Sequence, residues 1–517
     1  MDFRERLFKH LNISEEEFAF RTREPSFSDL PSLPDNPVLL RVRARIKKAI
    51  ETNAPILVFG DYDCDGIMAS SIMVSCLNAM GADVSCLIPS RYLDGYGLGR
   101  STVEEILSRK PNLVITVDNG ISSAEEIKEL WENGIDTIVL DHHEIGQTLP
   151  EAFAILHIDL IPFGETPVSA GFLSYLFAKF LLRKDDSYLA CLAALSTISD
   201  CMPLVSYNQK LVALALRLLR KYDFPTIRLL AGDCPRIDER ILGMTVIPQI
   251  NAVGRLVKER SLDCLVRYFA LFQNVEATAR WMEEQNEERK ELTKKAASSL
   301  SLDPSASGIF VLTNLLEGLN GLLANRLLSE HGKTSIVFSP SFGDKTLLVG
   351  SLRANPGFSF VDFLDQIRDL IERGGGHDLA GGITVKAENL EALKSLFLRY
   401  CGEHPTEKKE PEAIPMDVSE LTMDNFRFLR SLGPFGHDNE EPRFRLNSVP
   451  TSCLGFSKNQ EHVLATCQTG AKIVGFRMPR SSFSFQNPFV SFYGRIGLDF
   501  YKKKPNITFF AESKTQD

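Results

Sequence analysis

The sequence lacks the features that define several classes of protein. No run of about 18 apolar residues occurs among the 517 residues, so no membrane-spanning helix is expected. No apolar segment of the secretory type follows the first residues, and we expect a cytoplasmic protein. The sequence has no Cys-x-x-Cys pair and no internal repeat, and its closest cysteines are ten positions apart. This spacing excludes a zinc ribbon and a disulfide framework.

The composition is that of a globular protein with more than one domain. Apolar residues make up 44% of the chain and charged residues 24%, which excludes a disordered or collagen-like protein. A chain of this length exceeds the size at which one hydrophobic core stops growing. We therefore expect two to four domains.

Charge is distributed unevenly along the chain. The net charge is −9, yet residues 451–517 carry nine Lys or Arg against four Asp or Glu. The same 67 residues include 11 Phe or Tyr. A basic, aromatic C-terminal segment beside an acidic remainder indicates two different tasks.

Short apolar runs alternate with helical patterns in the first half of the chain. Strands are predicted at 56–59, 113–117 and 137–140, with helices between them, which is typical of βαβ units and a parallel sheet. A charged connector helix is predicted at 275–299, and a second α/β segment follows at 308–400, with a helix at 360–372. A polar, proline-bearing linker and then short strands predict a small C-terminal barrel.

Acidic residues follow three of the predicted strands. Asp61, Asp63 and Asp65 follow the first, Asp118 follows the second, and Asp141-His142-His143 follows the third. Ligands bind at the carboxyl ends of strands in an open parallel sheet, so these groups are expected at one edge. So many carboxylates repel one another unless a cation lies among them. Carboxylate and imidazole ligands favour Mn²⁺ or Mg²⁺.

Two other readings of these motifs fail. Asp61-x-Asp63-x-Asp65-Gly66 matches the opening of an EF-hand loop, but position twelve is Ile72 and the loop follows a strand. Gly332-Lys333-Thr334 is not a phosphate-binding P-loop, because no glycine lies five residues before Gly332.

The three acidic motifs resemble the signature of the DHH phosphoesterases. Asp-Tyr-Asp-x-Asp-Gly begins at Asp61, Val-Asp-Asn-Gly includes Asp118, and Asp-His-His begins at Asp141. Further segments that resemble the family lie at 198–204, 248–256, 350–353, 374–377 and 432–442. Within the family, this order of motifs together with the C-terminal segment is similar to the single-strand-specific exonucleases.

The resemblance implies an α/β fold with a parallel-sheet DHH domain, a connector helix, a second α/β DHH-associated domain and a C-terminal OB-fold-like barrel. It implies the following division: an N-terminal helical extension at 1–50, the DHH catalytic domain at 51–265, the connector at 266–305, the DHH-associated domain at 306–405, a linker and lead-in segment at 406–449, and the OB-fold-like domain at 450–517.

The resemblance also implies two-metal hydrolysis of single-stranded DNA from 5′ to 3′, releasing mononucleotides, in recombination and repair. The implied cofactors are two Mn²⁺ or Mg²⁺ ions, with Asp118 as the bridge and Asp61 and Asp141 as supporting carboxylates. The implied metal ligands are Asp61, Asp63, Asp65, Asp118, His142 and Asp200. The catalytic set comprises Asp63, Asp65, Asp118, His142, His143, Asp200 and Arg255.

Two further groups of residues are expected to bind DNA. The set for nucleic acid and the 5′-phosphate comprises Asn251, Arg255, Ser351, Arg353, Gly374, Gly375, Gly376 and His377. The set in the C-terminal segment comprises Lys472, Arg477, Arg495, Lys502 and Lys503. Single-stranded DNA, a single-strand-binding protein and a helicase are the implied partners, without a membrane, and a monomer is expected.

Two departures from the family pattern and three alternatives stay open at this point. Gln249 stands where the family has arginine, which predicts a weaker phosphate contact, and segment 317–321 lacks the usual histidine. The alternatives are a DHH phosphodiesterase for short oligoribonucleotides or cyclic dinucleotides, an inactive scaffold relative and a pyrophosphatase. Residues 410–517 argue against the first and third, and the intact acidic motifs argue against the second.

Overall fold

The structure is a computed structural model that describes residues 2–95, 97–161, 163–258, 261–405, 412–467, 470–499 and 505–515. The α-helices are α1 Phe3–Leu11, α2 Glu15–Thr22, α3 Pro37–Glu51, α4 Cys64–Ala79, α5 Arg100–Arg109, α6 Ala124–Glu132, α7 Ala170–Leu182, α8 Ser187–Ser199, α9 Ser206–Lys221, α10 Pro225–Ala231, α11 Glu239–Ile241, α12 Ile247–Leu256, α13 Asp263–Leu271, α14 Val275–Ser299, α15 Asn320–His331, α16 Phe360–Ile367, α17 Leu390–Glu403 and α18 Met423–Ser431.

The strands are β1 Ile56–Phe59, β2 Val84–Leu87, β3 Leu113–Val117, β4 Asp136–Leu140, β5 Ala154–Leu156, β6 Ile309–Leu312, β7 Ser335–Pro340, β8 Leu347–Arg353, β9 Ile371–His377, β10 Ala380–Lys386, β11 Ala413–Met416, β12 Arg443–Pro450, β13 Leu454–Phe456, β14 Val463–Thr466, β15 Lys472–Gly475, β16 Phe489–Asp499 and β17 Asn506–Thr515. The chain divides into two compact units. The larger unit spans 27–202 and 214–409, and the smaller unit spans 1–26, 203–213 and 410–517.

A five-stranded parallel sheet organises the first part of the larger unit. Its strand order is β2-β1-β3-β4-β5, and β1 and β3 are buried along their whole length. Strands buried on both faces need continuous apolar runs, which is why these runs could be recognised in the sequence. Helix α4 is buried almost all round, and it packs against α7 and α8. This packing fixes the loop between β1 and α4.

A second five-stranded sheet organises residues 309–386 of the larger unit. Its order is β6-β7-β8-β10-β9, so that β9 forms one edge, and helices α15, α16 and α17 accompany it. The predicted α/β class and the connector helix at Val275–Ser299 are both confirmed.

The helix predicted at 360–372 is wrong beyond residue 367. Helix α16 buries Phe360, Phe363 and Ile367 on one face and ends there, and a short 3₁₀ turn leads into β9. The glycine run 374–376 therefore lies on an edge strand rather than in a turn. Glycine disfavours helix, and pairing with β10 supplies the hydrogen bonds that a helix would otherwise make.

A seven-stranded sheet forms the centre of the smaller unit. Its order is β11-β12-β16-β17-β15-β14-β13, and its core joins aromatic and aliphatic side chains of the sheet to Phe3 and Leu7 of α1. The sheet begins at Ala413, inside the segment that the sequence analysis assigned to a linker and lead-in. Residues 1–26 belong with this unit, whereas α3 belongs with the larger one, so the predicted N-terminal extension is divided.

All ten cysteines lie within the described residues and are free thiols. Across that part of the chain, no helix has both the length and the apolar character that crossing a membrane requires.

Candidate metal centre and phosphate-binding site

The loop between β1 and α4 carries three aspartates in a fixed geometry. Asp63 caps α4, and its Oδ1 accepts hydrogen bonds from the N–H groups of Asp65 (2.9 Å) and Gly66 (3.1 Å). A Cβ at Gly66 would lie 2.5 Å from the backbone oxygen of Asp61, so that only glycine fits there. The tight turn directs the three carboxylates to the carboxyl edge of the sheet.

Asp65 is held at the start of a second helix. Its two carboxylate oxygens accept hydrogen bonds from the N–H groups of Ala170 (3.0 Å) and Gly171 (2.9 Å), in the first turn of α7. The Ser196 hydroxyl donates to it as well (2.6 Å). The free N–H groups and the dipole of a helix N-terminus stabilise an anion, which keeps this carboxylate in place although it is buried.

Asp118 follows β3 with a left-handed backbone. Its φ is +61°, a conformation that a residue other than glycine rarely adopts, and its side chain is buried. Its Oδ1 lies 3.2 Å from Nε2 of His142. Strained backbone of this kind persists where the surroundings hold a functional group in position.

His142 lies among carboxylates from three other segments. Its Nε2 is 3.2 Å from Asp118, 3.5 Å from Asp65 and 3.7 Å from Asp200. Burial lowers the pKa of His142 and outweighs the charge of Asp65, so the imidazole is neutral near pH 7. A neutral imidazole among carboxylates is the form that binds a metal ion.

Asp141 has a supporting position. It accepts hydrogen bonds from the N–H groups of Ile121, His142 and His143, and its Oδ1 lies 2.7 Å from Nδ1 of His143. Burial alone would raise the pKa of Asp141. The hydrogen bond and the charge of His143 outweigh this effect, so the pKa of Asp141 is lowered. Burial also lowers the pKa of His143, and its contact with Asp141 reverses that effect, so its pKa is raised.

The remaining carboxylates have strongly perturbed pKa values. Burial, reinforced by neighbouring carboxylates, raises the pKa of Asp61, Asp63 and Asp118, and it raises that of Asp200 to about 8. Oδ1 of Asp61 is buried and has no hydrogen-bond partner among the described residues. Buried acids that repel one another fit a site built for cations.

Among the described residues, three groups of side chains have the spacing that a metal ion needs. They are Asp61–Asp63–Asp118, Asp65–His142–Asp200 and Asp118–His142–His143. Asp118 and His142 each belong to two groups, so the groups form one continuous centre. The structure therefore brings together the acidic residues and histidines that the sequence pointed to, and they suit two divalent ions.

An arginine cluster lies beside this centre. Burial, together with the charges of Arg91, Arg289 and Arg353, lowers the pKa of Arg255 to about 10. Arg91 stacks 4.3 Å from the centroid of the Tyr62 ring. Its Nε is buried and has no partner within the described part of the chain. Several arginines close together are typical of phosphate sites.

Arg91 and Arg289 were not identified from the sequence. Arg91 lies in the loop after β2, at the same sheet edge as the acidic motifs, and that position was the available signal. Arg289 lies on α14, which was expected to be a solvated connector. Its guanidinium donates to Asn286, a buried residue on the same helix.

The second sheet brings the predicted phosphate-binding residues together across three strands. Ser351 of β8 pairs with Gly382 of β10, which pairs with Gly375 of β9. In the neighbouring row, Arg353 pairs with Ala380, which pairs with His377. These residues share one sheet face because alternate residues of a strand point the same way.

This face is open over Gly375, and Arg353 bounds it. A Cβ at Gly375 would meet no atom within 4 Å, whereas one at Gly321 would lie 2.9 Å from Nη2 of Arg353. Gly321 is in the first turn of α15, so a guanidinium lies at the positive end of a helix dipole. An anion between them would relieve this repulsion.

Two residues of α12 face inward. Oδ1 of Asn251 accepts a hydrogen bond from the N–H of Cys64 (2.9 Å) and supports the β1–α4 loop. Gln249, where a weaker phosphate contact is expected, is engaged inside the fold: its buried amide donates to the carbonyls of Leu230 (2.7 Å) and Thr245 (2.8 Å). Its role is to tie α12 to α10.

Two of the five basic residues predicted to bind DNA in the smaller unit are paired with carboxylates. Lys472 lies 3.1 Å from Asp499, and Arg495 lies 3.4 Å from Glu441 and 3.2 Å from Glu512. The backbone N–H of Arg477 donates to His462. Lys502 and Lys503 lie outside the described residues. The aromatic side chains Phe476, Phe485 and Phe489 are instead exposed, at 65%, 49% and 53%.

Family models match three parts of the chain. They are the DHH family, N-terminal domain, at residues 55–197, the DHHA1 domain at 316–403 and the RecJ OB domain at 413–513. The single-stranded-DNA-specific exonuclease RecJ of Salmonella typhimurium is 30% identical over 449 residues, which cover 77% of this chain and 76% of the relative. The chain belongs to the RecJ family. The predicted DHH resemblance and OB-fold-like C-terminal region are thereby confirmed.

The chain spans only part of the length of two other RecJ relatives. The match covers 56% of the RecJ of Bacillus subtilis at 30% identity and 65% of that of Thermus thermophilus at 32% identity. The crystal structure of the Thermus thermophilus RecJ in complex with Mn²⁺ has a TM-score of 0.83 and 25% identity. The match covers 99% of this chain and 75% of that structure.

Proposed function

We propose that this chain is a metal-dependent exonuclease that degrades single-stranded DNA from 5′ to 3′ to mononucleotides, in recombination and repair. The observation that carries the proposal is the set of three overlapping Asp/His groups at one sheet edge, with an arginine cluster beside them. The RecJ relatives, described as specific for single-stranded DNA, support it.

Two divalent ions, Mn²⁺ or Mg²⁺, are the proposed cofactors. Asp61 and Asp63 would hold one ion and Asp65, His142 and Asp200 the other, with Asp118 contributing to both. When bound, such a pair polarises a phosphodiester and lowers the pKa of the attacking water. A RecJ crystal structure that contains manganese supports this choice of metal.

The chain's own side chains position the substrate and hold protons. Asp141 fixes the ring of His143, whose raised pKa keeps a proton available near the leaving oxygen. Arg255 lies close enough to Asp63 for their charges to interact, and it would offset negative charge that develops on the phosphoryl group. Residues 51–265 would perform the chemistry.

The second sheet is proposed to hold the 5′-terminal phosphate. Arg353, Ser351 and His377 can donate hydrogen bonds to it, and Gly375 leaves the sheet face open. The charges of Arg353 and Arg255 interact across the two α/β parts of the larger unit. One bound nucleotide would therefore extend from the phosphate-binding site to the metal centre.

Helicases and single-strand-binding proteins are the proposed partners, because DNA must be unwound before a single-strand nuclease can act. A monomer is proposed since the residues of the centre come from one chain. We propose the cytoplasm as its compartment, where chromosomal substrate is present.

A substrate series tests the proposed function. A 5′-phosphorylated 20-nucleotide single strand, the same sequence as a blunt duplex, short oligoribonucleotides and a cyclic dinucleotide are each incubated with Mn²⁺ or EDTA. We expect stepwise shortening of the single strand in Mn²⁺ only. Cleavage restricted to the short or cyclic substrates would indicate the alternative function, a DHH phosphodiesterase for short oligoribonucleotides or cyclic dinucleotides. Binding without cleavage would support the scaffold reading.

Removal of the Asp200 carboxylate is expected to have opposite effects on stability with and without metal. Because burial raises the folded-state pKa of Asp200 to about 8, the folded chain holds a proton that the unfolded chain loses at lower pH. The stabilisation that this bound proton gives to the folded chain is therefore lost as pH rises through about 8.

In EDTA at pH 9, Asp200→Asn should raise Tm by a few degrees, and the gain should shrink at pH 6. In Mn²⁺ the same variant should melt below wild type. If the variant melts below wild type in EDTA at pH 9, Asp200 is not repelled by the neighbouring carboxylates, and the metal assignment loses its basis.

The exposed aromatic side chains of the smaller unit are expected to stack on DNA bases. Phe476→Ala and Phe489→Ala should each weaken single-strand affinity by about 1–3 kcal/mol, the usual contribution of one stacked base. Tm should stay unchanged because both rings are exposed. Leu464→Ala, which removes an exposed apolar side chain from the same sheet, is the matched control. Equal losses in all three variants, measured by fluorescence anisotropy, would rule out specific stacking.

A further inference from the structure

His157 is a buried histidine that has no part in the function proposed above. It directly follows β5 and is 1% exposed. Its Nε2 lies 2.9 Å from the backbone carbonyl oxygen of His143, and the backbone N–H of Asp159 donates to its Nδ1 (3.2 Å). Both ring nitrogens are therefore engaged, although the residue belongs to none of the three metal-binding groups.

The partners of His157 determine which ring nitrogen carries the proton. A backbone N–H can only donate, so Nδ1 accepts from Asp159 and is unprotonated. The Nε2 of the neutral ring then carries the hydrogen and donates it to the carbonyl of His143. The carboxylate of Asp159 is 3.6 Å from Nδ1, beyond hydrogen-bond distance, and its side chain is exposed. His157 is thus a fixed donor towards the segment that carries His143.

The ring of His157 continues the hydrogen bonding of the parallel sheet beyond its last strand pair. β4 and β5 pair as far as Leu140 and Leu156, and the N–H of Asp141 donates to the carbonyl of Leu156 (3.2 Å). β5 ends there. The side chain of His157 takes the place of the next backbone donor, and it ties the carbonyl of His143 to the end of β5.

His143 lies at the start of an exposed segment. Its own side chain is 44% exposed, and most residues at 144–149 are exposed as well. The contact of its Nδ1 with Asp141 (2.7 Å) orients the ring, whereas the hydrogen bond from His157 holds the backbone that carries the ring. A reacting group keeps its geometry only when the residues behind it are themselves fixed. His143 is therefore held at both its ring and its carbonyl.

We propose that His157 is a positioning residue for His143 in the cleavage step. The inference rests on the proposed function, in which His143 keeps a proton near the leaving oxygen. Hydrolysis breaks the bond between phosphorus and the 3′ oxygen, the oxygen of water joins phosphorus, and the 3′ oxygen receives a proton. A proton donor that moves by about 1 Å is much less effective. Loss of the His157 donor therefore lowers kcat and leaves substrate binding intact.

Two substitutions at His157 separate the hydrogen bond from the volume of the ring. Glutamine places an N–H donor at the distance of Nε2, whereas leucine fills similar space without a donor. On a 5′-phosphorylated 20-mer in Mn²⁺, His157→Leu should lower kcat about 10- to 100-fold with KM unchanged, and His157→Gln should restore most of the loss. Asn355→Leu, which removes a side-chain donor from the carbonyl of Gly332, is the matched control and should keep the wild-type kcat.

Two further measurements show whether the effect passes through His143. A 20-mer with sulfur in place of the first bridging 3′ oxygen releases a thiolate, which needs no proton donor because a thiol is far more acidic than an alcohol. His157→Leu should hydrolyse this substrate at nearly the wild-type rate. In a His143→Ala background, His157→Leu should cause no further loss, since two residues that act through one group are not additive.

The outcomes separate this inference from the proposed function. If the wild-type chain does not shorten the 20-mer in Mn²⁺, the proposed function fails. If it does, unchanged kcat in His157→Leu overturns the positioning role while the function stands. Equal losses on the oxygen and sulfur substrates, the same loss in the His143→Ala background, or weaker Mn²⁺ binding would also overturn it. His157→Met, which likewise lacks an N–H donor, replaces the leucine variant if that one does not fold.

Discussion

Asp118→Asn is expected to lower the turnover of single-stranded DNA by at least about a thousandfold, equivalent to about 4 kcal/mol. Asp118 is the carboxylate that belongs to two of the three metal-binding groups, and its Oδ1 contacts His142. Asparagine keeps the shape of the side chain but removes the charge, so excess Mn²⁺ should not restore activity. The loss is measured as kcat on a labelled 20-mer over a range of Mn²⁺ concentrations.

Asp83→Asn is the matched control for this experiment. It makes the same change at an exposed residue just before β2, at the end of the sheet opposite to the metal centre. Its activity should equal that of wild type. Turnover by Asp118→Asn within tenfold of wild type would contradict the ligand assignment, provided that the variant melts as a folded protein.

Arg353→Ala is expected to abolish the preference for a 5′-phosphorylated end. In wild type we expect kcat/KM to be about 10- to 100-fold higher on 5′-phosphate than on 5′-hydroxyl DNA, the range of one or two charge-assisted hydrogen bonds. Burial lowers the pKa of Arg353, and the residue faces the first turn of α15, so its charge lacks compensation until an anion binds. The variant should lose activity on the phosphorylated substrate only.

Arg399→Ala provides the comparison at an exposed arginine of α17 in the same part of the chain. It should retain the wild-type ratio of the two substrates. If Arg353→Ala lowers kcat/KM equally on both substrates, Arg353 acts on the fold or on the DNA in general. If wild type itself has no preference, the proposed terminal-phosphate site is wrong.

The metal centre could be predicted because its information is local in the sequence. Asp118 and Asp141 come directly after a buried strand and Asp61 one residue later, and the strands are recognisable as apolar runs. A parallel sheet then brings the strand ends to one edge without further information. The distances among Asp65, His142 and Asp200 could not be predicted, because they depend on how α7 and α8 pack on α4.

The sequence could not predict contacts that depend on residues distant in the chain. Gln249 faces the carbonyl of Leu230 because of the packing of α12 on α10, which no local pattern encodes. The helix predicted to reach residue 372 ends at Ile367, because the segment that follows pairs with β10 as strand β9. Lys472 and Arg495 counted as free basic charge in the composition, yet Asp499 and Glu441 pair with them in the fold.

The central claim is that three strand ends form one centre for two divalent ions. Isothermal titration of the full chain with Mn²⁺, for wild type and Asp118→Asn, tests it most directly. We predict saturable binding of two ions per wild-type chain, with release of protons at pH 7, since Asp200 and its neighbours must lose theirs. Asp118→Asn should weaken both binding events. Absence of saturable binding, or identical titrations of the two proteins, would contradict the account.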